Sequence, residues 1–158
     1  MPERYWLMKS DPDTYGLEHL QKEPRKTTCW DGVRNFTARN LLRDEVQKGD
    51  GVLFYHSQEK PPGVVAIARV VKAGYPDPSQ FDPADKYHDA RSDPDNPRWY
   101  AVDIKLEKVL PQRVDLPDMR ENPKLAEMGL LRKGNRLSVQ PVTRAEWKQV
   151  LKMGGLKG

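Results

Sequence analysis

The stretch Val52–Val71, VLFYHSQEKPPGVVAIARVV, decides how this chain folds. It opens with the bulky apolar run Val52–Tyr55 and closes with a second run, Val64–Val71, which is rich in β-branched residues. The turn-forming residues Pro61–Gly63 separate the two runs. Apolar runs of this length, bounded by turn residues, predict two buried strands that follow one another in the chain. A sheet is therefore expected at the centre of the fold.

Further strands and helices are predicted on either side of this stretch. Arg4–Lys9 (RYWLMK) is a bulky apolar run typical of a buried strand, and Trp99–Leu110 (WYAVDIKLEKVL) alternates as a half-buried strand does. Thr143 and Glu146 form a capping box that predicts a final helix. Together these elements predict an α+β fold, most simply a small mixed or barrel-like sheet. The other expected elements are short helices at Leu17–Leu20, Val33–Val46 and Asp115–Met128, and a short strand at Arg136–Val139.

The composition predicts one folded domain over residues 1–158. The chain is 32% charged but contains four Trp, six Tyr and three Phe, more aromatic residues than a disordered chain of this length usually carries. Its one cysteine excludes a disulfide framework and a cysteine-based zinc cluster.

No apolar run approaches the roughly 18 residues of a membrane span, and no signal peptide is evident. We expect a soluble, intracellular protein, cytoplasmic in a bacterium and nuclear in a eukaryote.

The basic residues are concentrated towards the end of the chain. Residues 101–158 contain twelve basic and seven acidic side chains, a net charge of +5, whereas residues 1–50 contain nine of each. A basic end beside a neutral body fits contact with a polyanion, and a solvated lysine-rich surface is the alternative of equal weight.

Motifs typical of enzymes are missing from the sequence. Neither glycine-rich phosphate-binding pattern occurs, the three histidines lie far apart, and there is no G-x-S-x-G elbow. Cys29 is interpreted as a small buried residue rather than a nucleophile. Residues 76–98 form a long loop with five prolines and six aspartates, but it lacks the glycine and terminal glutamate of a calcium-binding EF-hand. We expect no catalytic residue, no metal and no cofactor.

A recognition site needs a flat aromatic surface and polar groups beside it, and the segment Trp30–Asn35 (WDGVRN) supplies both. The indole can stack on a base, while Asp31 and Asn35 can reach the edge of that base. Gly32 lets the backbone turn close to a ligand. Ordinary packing in the core is the alternative for Trp30.

Two further clusters place polar tips on strands. Side chains alternate between the two faces over Phe54–Ser57, which suits the mouth of a pocket, although His56 taken alone is more often an ordinary structural histidine. The densest basic stretch is Arg132–Pro141, in which Ser138 and Gln140 would point the same way.

These clusters, together with Tyr5–Asp13, resemble the EVE domain family. The resemblance runs along nearly the whole chain and is carried by an ordered series of motifs rather than by a single short one. The matching stretches are YWLMKSDPDTY (5–15), WDGVRNFTARN (30–40), GDGVLFYHS (49–57), PPGVVAIARV (61–70), YPDPSQFDP (75–83), NPRWYAVDI (96–104) and NRLSVQPVT (135–143).

The resemblance implies a PUA-like fold, a curved mixed sheet or pseudo-barrel flanked by helices, which the YTH and ASCH domains share. It also implies a non-enzymatic module that binds DNA, or RNA, carrying a modified base, chiefly modified cytosine in DNA. Such a base is held after it has been flipped out of the stack. The expected base-pocket residues are Lys9, Ser10, Asp11, Trp30, Asn35, Tyr55, His56, Ser57, Ser138 and Gln140, and the expected phosphate contacts are Arg34, Arg39, Lys133 and Arg136.

The fuller aromatic cage of the YTH domains has no obvious counterpart here. Trp99 follows the long loop and is predicted to lie in a strand, which leaves Tyr55 or a residue of the 76–98 loop as the second aromatic wall. Two other functions stay open: an RNA-binding module that reads an unstacked modified base, and an enzyme that acts on a captured base through His56 with Asp11 or Asp31. The sequence does not indicate an oligomeric state.

Overall fold

The computed structural model describes residues 4–135 and 137–156, and a curved sheet lies at the centre of this part of the chain. Each predicted strand has a counterpart in the sheet, and one further strand joins them at an edge. The strands of the described residues are β1 (Tyr5–Ser10), β2 (Thr27–Trp30), β3 (Gly51–His56), β4 (Gly63–Pro76), β5 (Tyr100–Asp115) and β6 (Val139–Val142).

The sheet is mixed and open, with the strand order β2–β5–β4–β3–β1–β6. β1 runs parallel to β3, and the other neighbouring pairs are antiparallel. The long pair β4 and β5 shifts register at four places along its length. Such irregularities bend a pair of strands and increase its twist. The predicted α+β fold with a curved mixed sheet is confirmed.

Both faces of the sheet are buried, because successive side chains of a strand point to opposite faces. Trp6 and Met8 of β1 pack with Phe54 of β3 in one core. Leu7 and Leu53, their sequence neighbours, pack in a second core on the other face. A strand covered on both faces is apolar throughout rather than alternating, which explains the continuous run that identified β3 in the sequence.

Helices cover the two faces. The predicted capping box is confirmed: the Thr143 hydroxyl accepts from the Glu146 amide at 3.1 Å, and the Glu146 carboxylate accepts from the Thr143 amide at 2.9 Å. No helix among the described residues combines the length and apolar character needed to cross a bilayer. The helices are α1 (Pro12–Tyr15), α2 (Leu17–Lys22), α3 (Phe36–Asp44), α4 (Leu116–Glu121) and α5 (Arg144–Met153), with 3₁₀ turns at Pro24–Lys26, Pro78–Phe81, Pro123–Leu125 and Gly129–Leu131.

Two strands differ from the sequence prediction in existence or position, and β4 and β5 each extend five residues beyond their predicted ends. β2 has the sequence TTCW, which carries no apolar run, and it forms because it pairs with β5 at the edge of the sheet. The short strand predicted at Arg136–Val139 lies instead at Val139–Val142, where it pairs with β1. Pro141 is tolerated there because β6 is an edge strand, so its missing N–H breaks no ladder.

A buried carboxylate fixes the turn that leads into β3. Asp50 is 1% exposed, and one of its oxygens accepts from the Trp6 indole and from the Gln47 amide, both at 2.9 Å. The Asp50→Ala variant would leave the buried Trp6 indole N–H and the partly buried Gln47 amide N–H without their acceptor. We expect it to lower the free energy of unfolding in urea by about 2–4 kcal/mol.

The Asp50→Asn variant keeps an oxygen acceptor and is the matched control, with less than half of that decrease expected. An alanine variant that unfolds within about 0.5 kcal/mol of the wild type would contradict this role for Asp50.

Candidate functional site

A cavity of about 1060 Å³ lies where two distant parts of the curved sheet meet. Trp30 ends the edge strand β2, and Lys9 and Ser10 end β1, four strand positions away. Neighbouring strands are about 4.8 Å apart, so these ends would lie about 19 Å from each other in a flat sheet. They line one cavity because the sheet curls.

Trp30 is both a core residue and a wall of this cavity. Its side chain is 7% exposed and packs edge-on against Phe54, with ring centroids 5.6 Å apart. It also lines the cavity. Trp30 therefore packs in the core and also borders the cavity, and its stacking on a base stays a prediction.

A second aromatic wall comes from the long loop. Tyr87 lines the cavity and lies directly on the backbone of Gly32, where a Cβ atom would stand 2.5 Å from the tyrosine ring. Gly32 also has φ +78°, in the left-handed region that favours glycine. This closeness requires glycine at position 32. The sequence left two candidates for this wall, Tyr55 and a residue of the 76–98 loop. The loop supplies the wall, and Tyr55 does not line this cavity.

Arg34 holds the loop in place through a buried carboxylate. Its guanidinium donates to Asp77 at 3.0 Å, to the Ser79 hydroxyl at 3.1 Å and to the Tyr87 carbonyl at 2.7 Å. Asp77 is fully buried and also accepts from the Gly32 amide at 2.8 Å. Arg34 was predicted to contact phosphate; it does border the cavity, but its terminal nitrogens are engaged with the protein, so the structure gives it a positioning role.

Polar groups of both signs line the rest of the cavity. Burial lowers the pKa of Lys9. Loss of hydration, reinforced by the carboxylates of Asp77 and Asp85, raises the pKa of Asp31. The Tyr15 hydroxyl is buried without a hydrogen-bond partner in the described part of the chain, and burial raises its pKa to about 12. The remaining polar lining residues are Ser10, Asp11, Thr14, Glu23, Thr28, Asp85, Lys86 and Ser138.

Cys29 also lines this cavity, but its thiol is poorly suited to nucleophilic attack. Burial is the main cause that raises its pKa to about 11, so almost none of it is thiolate at neutral pH. The sequence interpretation of Cys29 as a buried residue is wrong in one respect, because Cys29 is only half-buried.

Three residues predicted for the base pocket do not line the cavity. Asn35 caps α3, where its side chain accepts from the Ala38 amide at 3.0 Å. His56 accepts from the Leu17 amide at 3.0 Å and faces Glu59 at 3.1 Å, so both ring nitrogens are engaged. Ser57 extends the β1–β3 pairing through its backbone. Such capping and bridging roles explain why polar residues occur there.

Two others border neighbouring clefts. Gln140 is 2% exposed and donates to the Leu137 carbonyl at 2.9 Å, beside a cleft of about 450 Å³. Tyr55 is 3% exposed and lies in a cleft of about 510 Å³, which shares Lys9 with the main cavity. Of the ten predicted base-pocket residues, the structure brings five together: Lys9, Ser10, Asp11, Trp30 and Ser138.

The predicted phosphate contacts are spread over several places. Arg39 does not line the cavity; it donates to the Arg98 carbonyl at 2.6 Å and stacks on Phe36. Lys133 is exposed and borders the cleft that contains Tyr55. Arg136 lies outside the described residues.

The enzyme alternative relied on His56, which does not line the cavity. His56, the proton-handling residue of the enzyme alternative, is held elsewhere by Leu17 and Glu59. Residues 4–135 and 137–156 contain no group of three or more His, Cys, Asp or Glu side chains placed to hold a metal ion.

The contact between Gly32 and Tyr87 can be tested against a matched glycine. Gly49 has φ +97° and open space where a Cβ atom would be, so Gly49→Ala carries backbone strain alone. Gly32→Ala carries similar strain and also displaces Tyr87. We expect it to cost about 1–3 kcal/mol more in urea unfolding, and to speed trypsin cleavage after Lys86.

Equal destabilisation in the two variants, with unchanged cleavage at Lys86, would show that Tyr87 does not depend on Gly32 for its position.

Comparison with known proteins agrees with this architecture. Zebrafish (Danio rerio) thymocyte nuclear protein 1 is 38% identical over 165 residues, which span 94% of this chain and 71% of that protein. The structure of human THYN1 protein in complex with DNA containing 5-methylcytosine superposes with a TM-score of 0.91 at 34% identity, covering 99% of this chain and 100% of that one.

A more distant structure shares the fold. The YTH domain of the Zygosaccharomyces rouxii MRB1 protein, solved in complex with N6-methyladenosine RNA, has a TM-score of 0.56 at 16% identity, covering 100% of this chain and 92% of that one. The PUA-like fold implied by the sequence is thus confirmed. The sequence model of the EVE domain matches residues 4–153. The chain belongs to the EVE domain family.

Proposed function

We propose that this protein is a non-enzymatic nucleic-acid-binding module that holds one unpaired, modified base, a modified cytosine in DNA, in the cavity between Trp30 and Tyr87. The observation that carries the proposal is the cavity itself, in which two aromatic walls face polar groups of both signs. Membership of the EVE domain family supports the same function, because human THYN1 protein has been solved in complex with DNA containing 5-methylcytosine.

The aromatic walls contribute affinity for any base, because every base has a flat face that can stack on them. Stacking of a base on an aromatic side chain contributes about 1–3 kcal/mol. A base that stays paired in a duplex cannot reach such walls, so it must be single-stranded or flipped out of the stack. The volume of about 1060 Å³ is ample for one base with its sugar.

The polar groups favour cytosine over thymine. Cytosine presents an amino group, which carboxylates accept from, whereas thymine presents a carbonyl oxygen at the same position. Asp11, Asp31 and Glu23 bring carboxylates to the cavity wall, and Lys9 can donate to a carbonyl oxygen of the base. A site that hydrogen-bonds an amino group rejects an analogue without it far more strongly than it senses a methyl group.

Catalysis is not part of the proposal, because His56, the proton-handling residue of the enzyme alternative, does not line the cavity. The cavity holds several carboxylates and Lys9, while His56 is engaged by Leu17 and Glu59. After prolonged incubation, the mass of a bound oligonucleotide should stay unchanged, and released or altered base would count against a binding module.

The test is a binding panel with one single-stranded DNA sequence that carries 5-methylcytosine, cytosine or thymine at one position. We expect the order 5-methylcytosine, cytosine, thymine in decreasing affinity. Trp30→Leu and Tyr87→Leu should each weaken binding of the 5-methylcytosine strand by about 5- to 150-fold, the range that corresponds to removal of one stacked aromatic ring.

Tyr5→Leu is the matched control, since Tyr5 is a half-buried aromatic that packs on Trp147 outside the cavity. Circular dichroism would confirm that each variant is folded. Equal affinity for the three bases, or equal effects of the Tyr5 and Tyr87 substitutions, would contradict the proposal. A matched RNA strand that competes better than DNA would identify RNA as the partner.

A further inference from the structure

A second cleft, the basic cleft, adjoins the proposed base cavity. It has a volume of about 510 Å³, and Lys9 belongs to the walls of both. Tyr55 contributes from the end of β3, and the 3₁₀ turn Gly129–Leu131 supplies the opposite side. The described residues that line the basic cleft are Lys9, Tyr55, Leu116, Arg120, Leu130, Leu131, Arg132, Lys133, Gly134 and Asn135.

The two spaces differ sharply in charge. The described lining of the basic cleft holds Lys9, Arg120, Arg132 and Lys133 and no carboxylate. The base cavity, in contrast, has carboxylates as well as cations in its walls. A phosphate would be attracted to the first space and repelled by much of the second.

The cations of the basic cleft are free to bind a ligand. Arg120, Arg132 and Lys133 are exposed, and none of the three forms an ion pair within the described residues. Arg34 and Arg113, in comparison, are held by carboxylates at 3.0 Å or less. Unpaired guanidinium groups are donors suited to the oxygens of phosphate.

We propose that the basic cleft binds the phosphodiester backbone of the nucleotides on one side of the captured base. This inference rests on the proposed function. Lys9 lines both the base cavity and the basic cleft, so a base held in the cavity would connect to its backbone in the cleft beside Lys9. Arg120 and Arg132 bind phosphate, with the Tyr55 hydroxyl as a further donor. The strand is held by this cleft on one side of the base only.

The test compares two double variants that remove equal charge. Arg120→Gln/Arg132→Gln alters the basic cleft, and Lys48→Gln/Lys108→Gln removes two exposed lysines that line neither space. The probes are the free nucleoside 5-methyl-2′-deoxycytidine and two single-stranded DNA oligonucleotides. One oligonucleotide carries 5-methylcytosine at its 5′ end and the other carries it at its 3′ end.

We expect the cleft variant to bind one of the two oligonucleotides roughly five- to tenfold more weakly at low salt. The slope of log affinity against log salt should become shallower by about 0.7 for each phosphate that the variant no longer neutralises. The other oligonucleotide and the nucleoside should bind as they do to the wild type. The lysine control should change both oligonucleotides slightly and equally.

Equal weakening for both oligonucleotides, or a weakening no greater than in the lysine control, would overturn the cleft as a one-sided backbone site. That result would leave the proposed function intact. Binding in the cavity is measured separately, as the loss of affinity that Trp30→Leu causes for the nucleoside and for both oligonucleotides. Absence of base preference in the wild type would instead overturn the proposed function itself.

Discussion

The curl of the sheet is the constraint on which the rest of the structure depends. β4 and β5 are long and shift register at four places, which bends the sheet instead of leaving it flat. As a result the end of the edge strand β2 and the end of β1, four strand positions apart, line a common cavity. In a flat sheet these two ends would lie about 19 Å apart and could not share a site.

The ion pair between Asp77 and Arg34 holds the second wall of the cavity in place. Asp77 receives hydrogen bonds from Gly32 and Arg34, so one carboxylate ties the turn after β2 to the long loop. Arg34 also donates to the Tyr87 carbonyl, so the same ion pair fixes the position of Tyr87. Removing Arg34 would leave the fully buried Asp77 carboxylate without its cation, which is costly, so the pair favours a single arrangement of the loop. The loop is long because it has to reach across the site, and its prolines and aspartates shape turns along that path.

Much of the fold could be predicted from the sequence, because apolar runs and capping patterns report local burial. Val52–Tyr55 and Val64–Val71 identified the two central strands, and Thr143 with Glu146 marked the last helix correctly. β2 was missed because its polar sequence carries no such pattern, and its pairing with β5 comes from the tertiary structure. A pattern of burial specifies which residues are inside, but it does not specify which strand ends meet.

The same limit explains which parts of the site were predicted. Trp30 was predicted from the aromatic and polar residues of its own segment, and Lys9 from the resemblance to the EVE domain family; both line the cavity. Asn35 and His56 carry similar polar chemistry, but local hydrogen bonds engage them as a helix cap and a bridge. For the second aromatic wall, the sequence indicated the loop but not Tyr87 itself. The position of Tyr87 depends on Arg34 and Asp77, and Arg34 is distant in sequence.

The most direct test of the base cavity is a crystal structure of this protein with a short single-stranded DNA that carries one 5-methylcytosine. We expect the modified base to lie inside the cavity, unpaired, in contact with Trp30 and with its amino group turned towards a carboxylate of the wall. A base bound on the outer surface, with the cavity between Trp30 and Tyr87 left to solvent, would contradict the assignment.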